Sequence, residues 1–212
     1  MSYDPPNHSR EAGLTSAVAL IVFVISGFAG LIYEIVWIRR AGLILGSTVF
    51  GLSTVLAIFF AGLAAGSLVI GRRSVRWSRP FRAYAVVEAL IGVLGFLSLP
   101  ALNAADSISG WLYHSLPAGA ALNRPLSVIL VALALFPATF LLGGTLPLMA
   151  RILVRERSQV MRRVGLVYGL NTLGAAAGCL ATGFVLLPRL GVSSSVMLAA
   201  GLNVLTAIVI FA

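Results

Sequence analysis

The chain has 212 residues, 59% of them hydrophobic and 10% charged, with a mean hydropathy of +1.03 and a formal net charge of +9. Soluble domains carry about 25% charged residues, so this composition excludes an ordinary globular enzyme. All 15 basic residues are arginine, and they collect between apolar runs rather than on one folded face, which argues against nucleic acid as a partner and for a lipid bilayer.

Residues 1–13 are polar and proline-containing and are expected to form a flexible cytosolic tail. From residue 14 to 212 the chain is a succession of apolar runs, at about 14–37, 48–71, 82–102, 126–150, 163–187 and 192–212. A bilayer core about 30 Å thick is crossed by about 20 apolar residues in a helix. Continuous runs lack the alternation of a membrane barrel, so the expected fold is all-α: a polytopic bundle of about six transmembrane helices. The first run is longer than a signal-peptide core and has no convincing cleavage site, so it is expected to be retained.

The loop over residues 103–125 carries Asp106, Trp111, Tyr113 and His114, and its segment NAADSISGWLYHSLP is expected to form a short helix lying flat on the membrane. Pro137 and Pro147, with Gly143 and Gly144, are expected to kink or break the fourth span. The last run reaches Ile210, Phe211 and Ala212 with no flanking arginine or tryptophan, so the chain reads as the front part of a longer polypeptide.

Arginine distribution sets the orientation. Arg10, the group Arg72, Arg73, Arg76, Arg79 and Arg82, and the group Arg151, Arg155, Arg157, Arg162 and Arg163 fall on one side, against Arg39, Arg40, Arg124 and Arg189 on the other. The positive-inside rule then places both termini in the cytosol, in a multi-pass protein of the inner (plasma) membrane.

Two carboxylates lie inside spans, where a charge asks for a partner or a purpose. Glu34 is five residues before Arg39 and Glu88 six residues after Arg82, about 7–9 Å inside opposite boundaries at 1.5 Å per residue. They are too far apart in depth for an acid–base pair. Gly27, Gly30 and Glu34 share one helix face, as do Tyr84, Glu88, Gly92 and Gly95, so both acids should point into the bundle. Asn171, on a face with Gly174 and Gly178, has the depth to hydrogen-bond Glu88.

Two accounts of these residues stay open. In the first, Glu34 pairs with Arg39, Arg40 or Arg189, and Glu88 is a protonated acid bonded across helices. In the second, Glu34, Glu88, Tyr33, Trp37 and Tyr84 line a path for an organic cation, since carboxylates and aromatic faces attract ammonium groups. The GxxxG pairs Gly62/Gly66, Gly165/Gly169 and Gly174/Gly178 are expected to bring helix backbones together. Two histidines and the single Cys179 make no metal cluster, and no Walker loop, HExxH helix, CxxC pair or GxSxG elbow occurs. No metal, cofactor or catalytic residue is therefore expected in this chain.

The segments SGFAGLIYEIVWIRRAGLILGST (Ser26–Thr48) and STVLAIFFAGLAAGSLVIGRR (Ser53–Arg73) resemble the membrane region of fused transporter/spermidine-synthase-like proteins. So do FLLGGTLPLMARILVR (Phe140–Arg155) and RRVGLVYGLNTLGAAAGCLATGFVLLPRLG (Arg162–Gly191). The resemblance implies a membrane domain that precedes a cytosolic Rossmann-like aminopropyltransferase domain, and no donor-binding or catalytic position of that domain exists in this chain. Gly66–Arg73 also resembles a cytosolic loop of major facilitator transporters, without its aspartate, as Val69 and Ile70 occupy that stretch. The expected function is thus an integral membrane module that anchors an aminopropyltransferase domain and binds or passes polyamines. The alternative is a stand-alone transporter half, assembled as a homodimer, or a structural subunit of a larger membrane complex.

Overall fold

Backbone groups that cannot reach water must pair within their own segment, and each long apolar run accordingly folds as a helix. The chain is described by a computed structural model over residues 7–46, 49–115, 123–153 and 160–211, with side chains described from residue 17 onward except that of Val160. Six α-helices follow in order: α1 (Asn7–Leu45), α2 (Val49–Ser74), α3 (Pro80–Ser115), α4 (Asn123–Leu153), α5 (Val160–Ala181) and α6 (Leu187–Phe211). A single π-helical turn, Thr182–Leu186, joins α5 to α6. No strand occurs among the described residues.

Five helical stretches are long and apolar enough to cross a membrane, and the fifth runs from Met161 to Phe211. Within that stretch the backbone leaves helical geometry at Gly191, with φ 75° and ψ −176°. That conformation is open to glycine and to almost no other residue.

Helix directions follow from which residues meet. Phe23 meets the ring of Tyr84, Gly95 receives the ring of Tyr33, and Trp37 bonds Ser98, so α1 and α3 run the same way. Gly62 faces Thr139, Gly66 faces Phe140 and Gly71 faces Pro147, so α2 and α4 are also parallel. Gly174 lies on Val24 and Gly178 on Phe28, which sets α5 parallel to α1. Alternate helices thus pair side by side in the same direction. The core lies where α1 meets α3, α4 and α6, and its fully buried side chains include Trp37, Tyr33, Tyr84, Phe23, Leu135 and Met149.

Two of the three glycine pairs pack as expected. A Cβ on Gly62 or Gly66 would collide with Thr139 or the Phe140 backbone, and one on Gly174 or Gly178 with the carbonyl of Val24 or Phe28. The third does not: a Cβ on Gly165 or Gly169 would meet nothing within 4 Å. The spacing that brings helices together is present there, but that face of α5 points out of the bundle.

Two other expectations are corrected. The segment 103–115 is no separate flat helix, because α3 continues unbroken from Pro80 to Ser115 and passes through Pro100. Nothing between Asn103 and Ser115 stops a helix, and Ser107 bonds back to the carbonyl of Asn103 at 3.1 Å. Helix α4 likewise runs unbroken from Asn123 to Leu153 through both Pro137 and Pro147.

The arginine-rich ends of the helices are tied together. Arg151, in the last turn of α4, donates to the carbonyl of Trp77 in the α2–α3 connection at 2.9 Å. Arg163, in the first turns of α5, donates to the carbonyl of Leu153 at 2.8 Å. Arg155 and Arg157 lie outside the described residues, as does the side chain of Arg10.

Candidate functional site

In a membrane interior a polar side chain has only other side chains to bond, so the polar residues of neighbouring spans find one another. Three helices contribute to one buried cluster. From α1 come Ser26, Tyr33 and Trp37, spaced by seven and four residues on one face. From α3 come Tyr84, Glu88 and Ser98, and from α6 come Asn203 and Thr206. All eight are buried, and Glu88 and Asn203 are fully so.

The bonds run as a directed chain. The Tyr33 hydroxyl donates to Asn203 Oδ1 at 3.1 Å, and Asn203 Nδ2 donates to Glu88 Oε2 at 2.6 Å. Tyr33 stacks on Trp37 with ring centroids 5.3 Å apart and planes 15° from parallel. Trp37 Nε1 donates to Ser98 Oγ at 2.8 Å, and Ser98 donates to the carbonyl of Gly95 at 2.6 Å. Gly95 is needed for this stack: its missing side chain is the space the Tyr33 ring occupies. Ser26 and Tyr84 face the same carboxyl group, yet Glu88 Oε1, Tyr84 Oη and Thr206 Oγ1 have no hydrogen-bond partner among the described residues.

The chemistry of this cluster is one-sided. It holds two phenols, an indole, a carboxamide, hydroxyls and one carboxyl group, with no basic side chain among its eight residues. A fully buried carboxylate with no counter-cation is costly. The carboxyl group is stable there either in its neutral form or with a cation beside it, and Tyr33, Trp37 and Tyr84 add aromatic faces that favour an ammonium group. A groove of about 510 Å³ opens between α3 and α6, with Gly92 and Ala200 among its lining residues. Those two lie one turn from Glu88 and Asn203.

Of the six residues singled out from sequence, four meet here: Tyr33, Trp37, Tyr84 and Glu88. Glu34 does not join them. Consecutive residues point about 100° apart on a helix, and Glu34 lies on the face of α1 where Gly30 faces Leu142 of α4 and Gly27 faces Asn171 of α5. Glu34 is itself buried, and Arg40, one of its expected partners, donates instead to Asn103. Asn171 packs on Gly27, so the expected Glu88–Asn171 bond is replaced by Glu88–Asn203. Asn203 was legible as an amide inside an apolar run, with Thr206 three residues on, but that run has no charged group to draw attention to it.

No protein-family model matches the chain, and no solved structure matches it. Among curated proteins it is 27% identical over 208 residues to polyamine aminopropyltransferase 1 of Streptomyces coelicolor, covering 98% of this chain and 36% of that protein. It is 30% identical over 193 residues to polyamine aminopropyltransferase of Corynebacterium efficiens, covering 89% of this chain and 34% of that one. The same identity over 188 residues relates it to the Mycobacterium tuberculosis protein of that name, covering 82% and 31% respectively. The chain is thus homologous to the polyamine aminopropyltransferases, along a stretch that makes up about a third of their length.

Proposed function

We propose that this chain is the membrane module of a polyamine aminopropyltransferase-like protein, anchoring a cytosolic catalytic domain and passing a polyamine ammonium by way of Glu88. The observation that carries this reading is the fully buried Glu88, bonded by Asn203 and ringed by Tyr33, Trp37 and Tyr84, in a chain whose relatives are named for polyamine chemistry. The bundle has six spans, with the stretch Met161–Phe211 divided at Gly191. Both ends lie on the cytosolic side of the inner membrane. The parallel pairing of alternate helices and the arginines gathered at one end support that orientation.

Counterflow of labelled putrescine into proteoliposomes tests the cation path. The wild-type protein is expected to accumulate label. Glu88→Gln keeps the shape but removes the charge and should cut the initial rate about tenfold, equivalent to about 1.4 kcal/mol. Glu34→Gln, on another face of α1, should change it little. No counterflow by the wild type, or equal rates in wild type and Glu88→Gln, would leave anchoring as the whole function.

A second reading, a structural subunit of a homodimer or larger complex, is favoured by the uncovered Gly165/Gly169 pair on α5. It predicts that a stable partner co-purifies in mild detergent.

A further inference from the structure

At the arginine-poor end of the bundle, far from Glu88, a cavity of about 690 Å³ lies between the ends of α1 and α3 and the starts of α2 and α4. It exists because α3 does not stop where its apolar run stops. The three to four extra turns carry Asp106, Ser109, Gly110 and Tyr113 on one face, at spacings of three, four and seven residues. All four line the cavity, together with Asn123 and Arg124 from the first turn of α4.

The polar groups around this space are of two kinds. Asp106 is a carboxylate, and the buried oxygens Ser109 Oγ and Asn123 Oδ1 have no hydrogen-bond partner among the described residues. The Tyr113 ring adds an aromatic face. These are acceptors suited to an ammonium group. Arg124 supplies a fixed positive charge with a planar donor fork. It stands at the N-terminus of α4, the positive end of that helix, whose first turn holds no acidic residue. A Cβ on Gly110 would meet nothing within 4 Å, so the cavity wall is open at that position.

We propose that this cavity is a binding site for a zwitterion, a molecule carrying an ammonium group and an anionic group a few bonds apart. Its ammonium end bonds Asp106, Ser109 and Asn123, and its anionic end bonds Arg124 and the start of α4. A simple diamine satisfies only the first set and meets the charge of Arg124 unfavourably, and a simple anion meets Asp106. The site stands apart from the Glu88 cluster and does not rest on the cation path. Two sources share this chemistry: a free α-amino acid, and a lipid headgroup that joins an ammonium to a phosphate.

Ornithine and putrescine separate a zwitterion from a cation, because they differ by one carboxylate. Titration calorimetry on the whole chain in a maltoside detergent, which carries neither ammonium nor phosphate, should show ornithine binding about tenfold more tightly than putrescine, a difference of about 1.4 kcal/mol. Arg124→Gln should abolish that preference, and Asp106→Asn should weaken both ligands. Both residues are exposed, so the variants should fold. Gly110→Leu adds bulk to the cavity wall without touching a charge and should weaken ornithine binding. Repeating the titration with phosphatidylethanolamine added to the micelles identifies the source: weaker apparent ornithine binding assigns the site to the headgroup, and unchanged binding assigns it to the free amino acid. Ornithine binding no tighter than putrescine, absent altogether, or indifferent to all three substitutions would overturn the proposal.

Discussion

Gly66→Leu is expected to destabilise the bundle by about 3 kcal/mol, the upper end of the range for overpacking a tight contact. A Cβ at this position would run into the backbone carbonyl of Phe140, and backbone atoms of a helix cannot turn aside as a side chain can. Gly143 makes the reciprocal contact on the backbone of Leu63, so α2 and α4 cannot separate at one point without losing the other. The matched control is Gly165→Leu, which has the same sequence spacing but open space around it and should shift stability by less than about 0.5 kcal/mol. Thermal unfolding in mild detergent, followed by loss of the monodisperse species, measures both. Equal effects would mean that the α2–α4 contact is not what holds the bundle.

Asn203→Leu has the second large effect. It removes the donor to Glu88 and the acceptor of Tyr33 in one step. Leaving a buried polar group without its partner costs about 1–3 kcal/mol, although interhelical hydrogen bonds in membranes average only about 0.6 kcal/mol in double-mutant cycles. Two groups are stranded here, so a loss of about 2 kcal/mol is expected. The triple substitution Tyr33→Phe, Glu88→Leu, Asn203→Leu replaces all three polar groups by apolar ones of similar size and should recover most of that loss. A triple variant less stable than Asn203→Leu would show that the cluster stabilises the fold rather than serving a ligand.

The helical class was legible because the apolar runs are long and uninterrupted, and lipid leaves the backbone one local solution. Helix ends were less legible. The apolar signal of α3 fades near Leu102, but the helix continues to Ser115 because hydrogen bonding along the backbone does not need apolar side chains. Proline does not end the fourth helix: Pro137 and Pro147 each remove one donor, and α4 continues through both. The α3 face of Tyr84 and Glu88 was legible, but the α1 face read from its glycines was that of Gly27, Gly30 and Glu34, whereas Tyr33 and Trp37 reach the cluster from another face of α1. Partners across helices were not legible. Depth alone allowed Asn171 as readily as Asn203, and the rotation of α5 against α1, set by Gly174 and Gly178, turns Asn171 to Gly27 instead. Spacing also could not tell Gly165/Gly169 from the packed pairs, because a spacing fixes one face of a helix but not what lies opposite it.

The intact mass of the natively expressed protein tests most directly whether this chain serves as one part of a larger aminopropyltransferase-like protein. Its relatives are about three times as long as the stretch it matches. A mass about three times the 22.2 kDa of this chain is expected. A native mass of 22.2 kDa would contradict it, remove anchoring of a domain in cis, and leave transport or assembly as the function of the bundle.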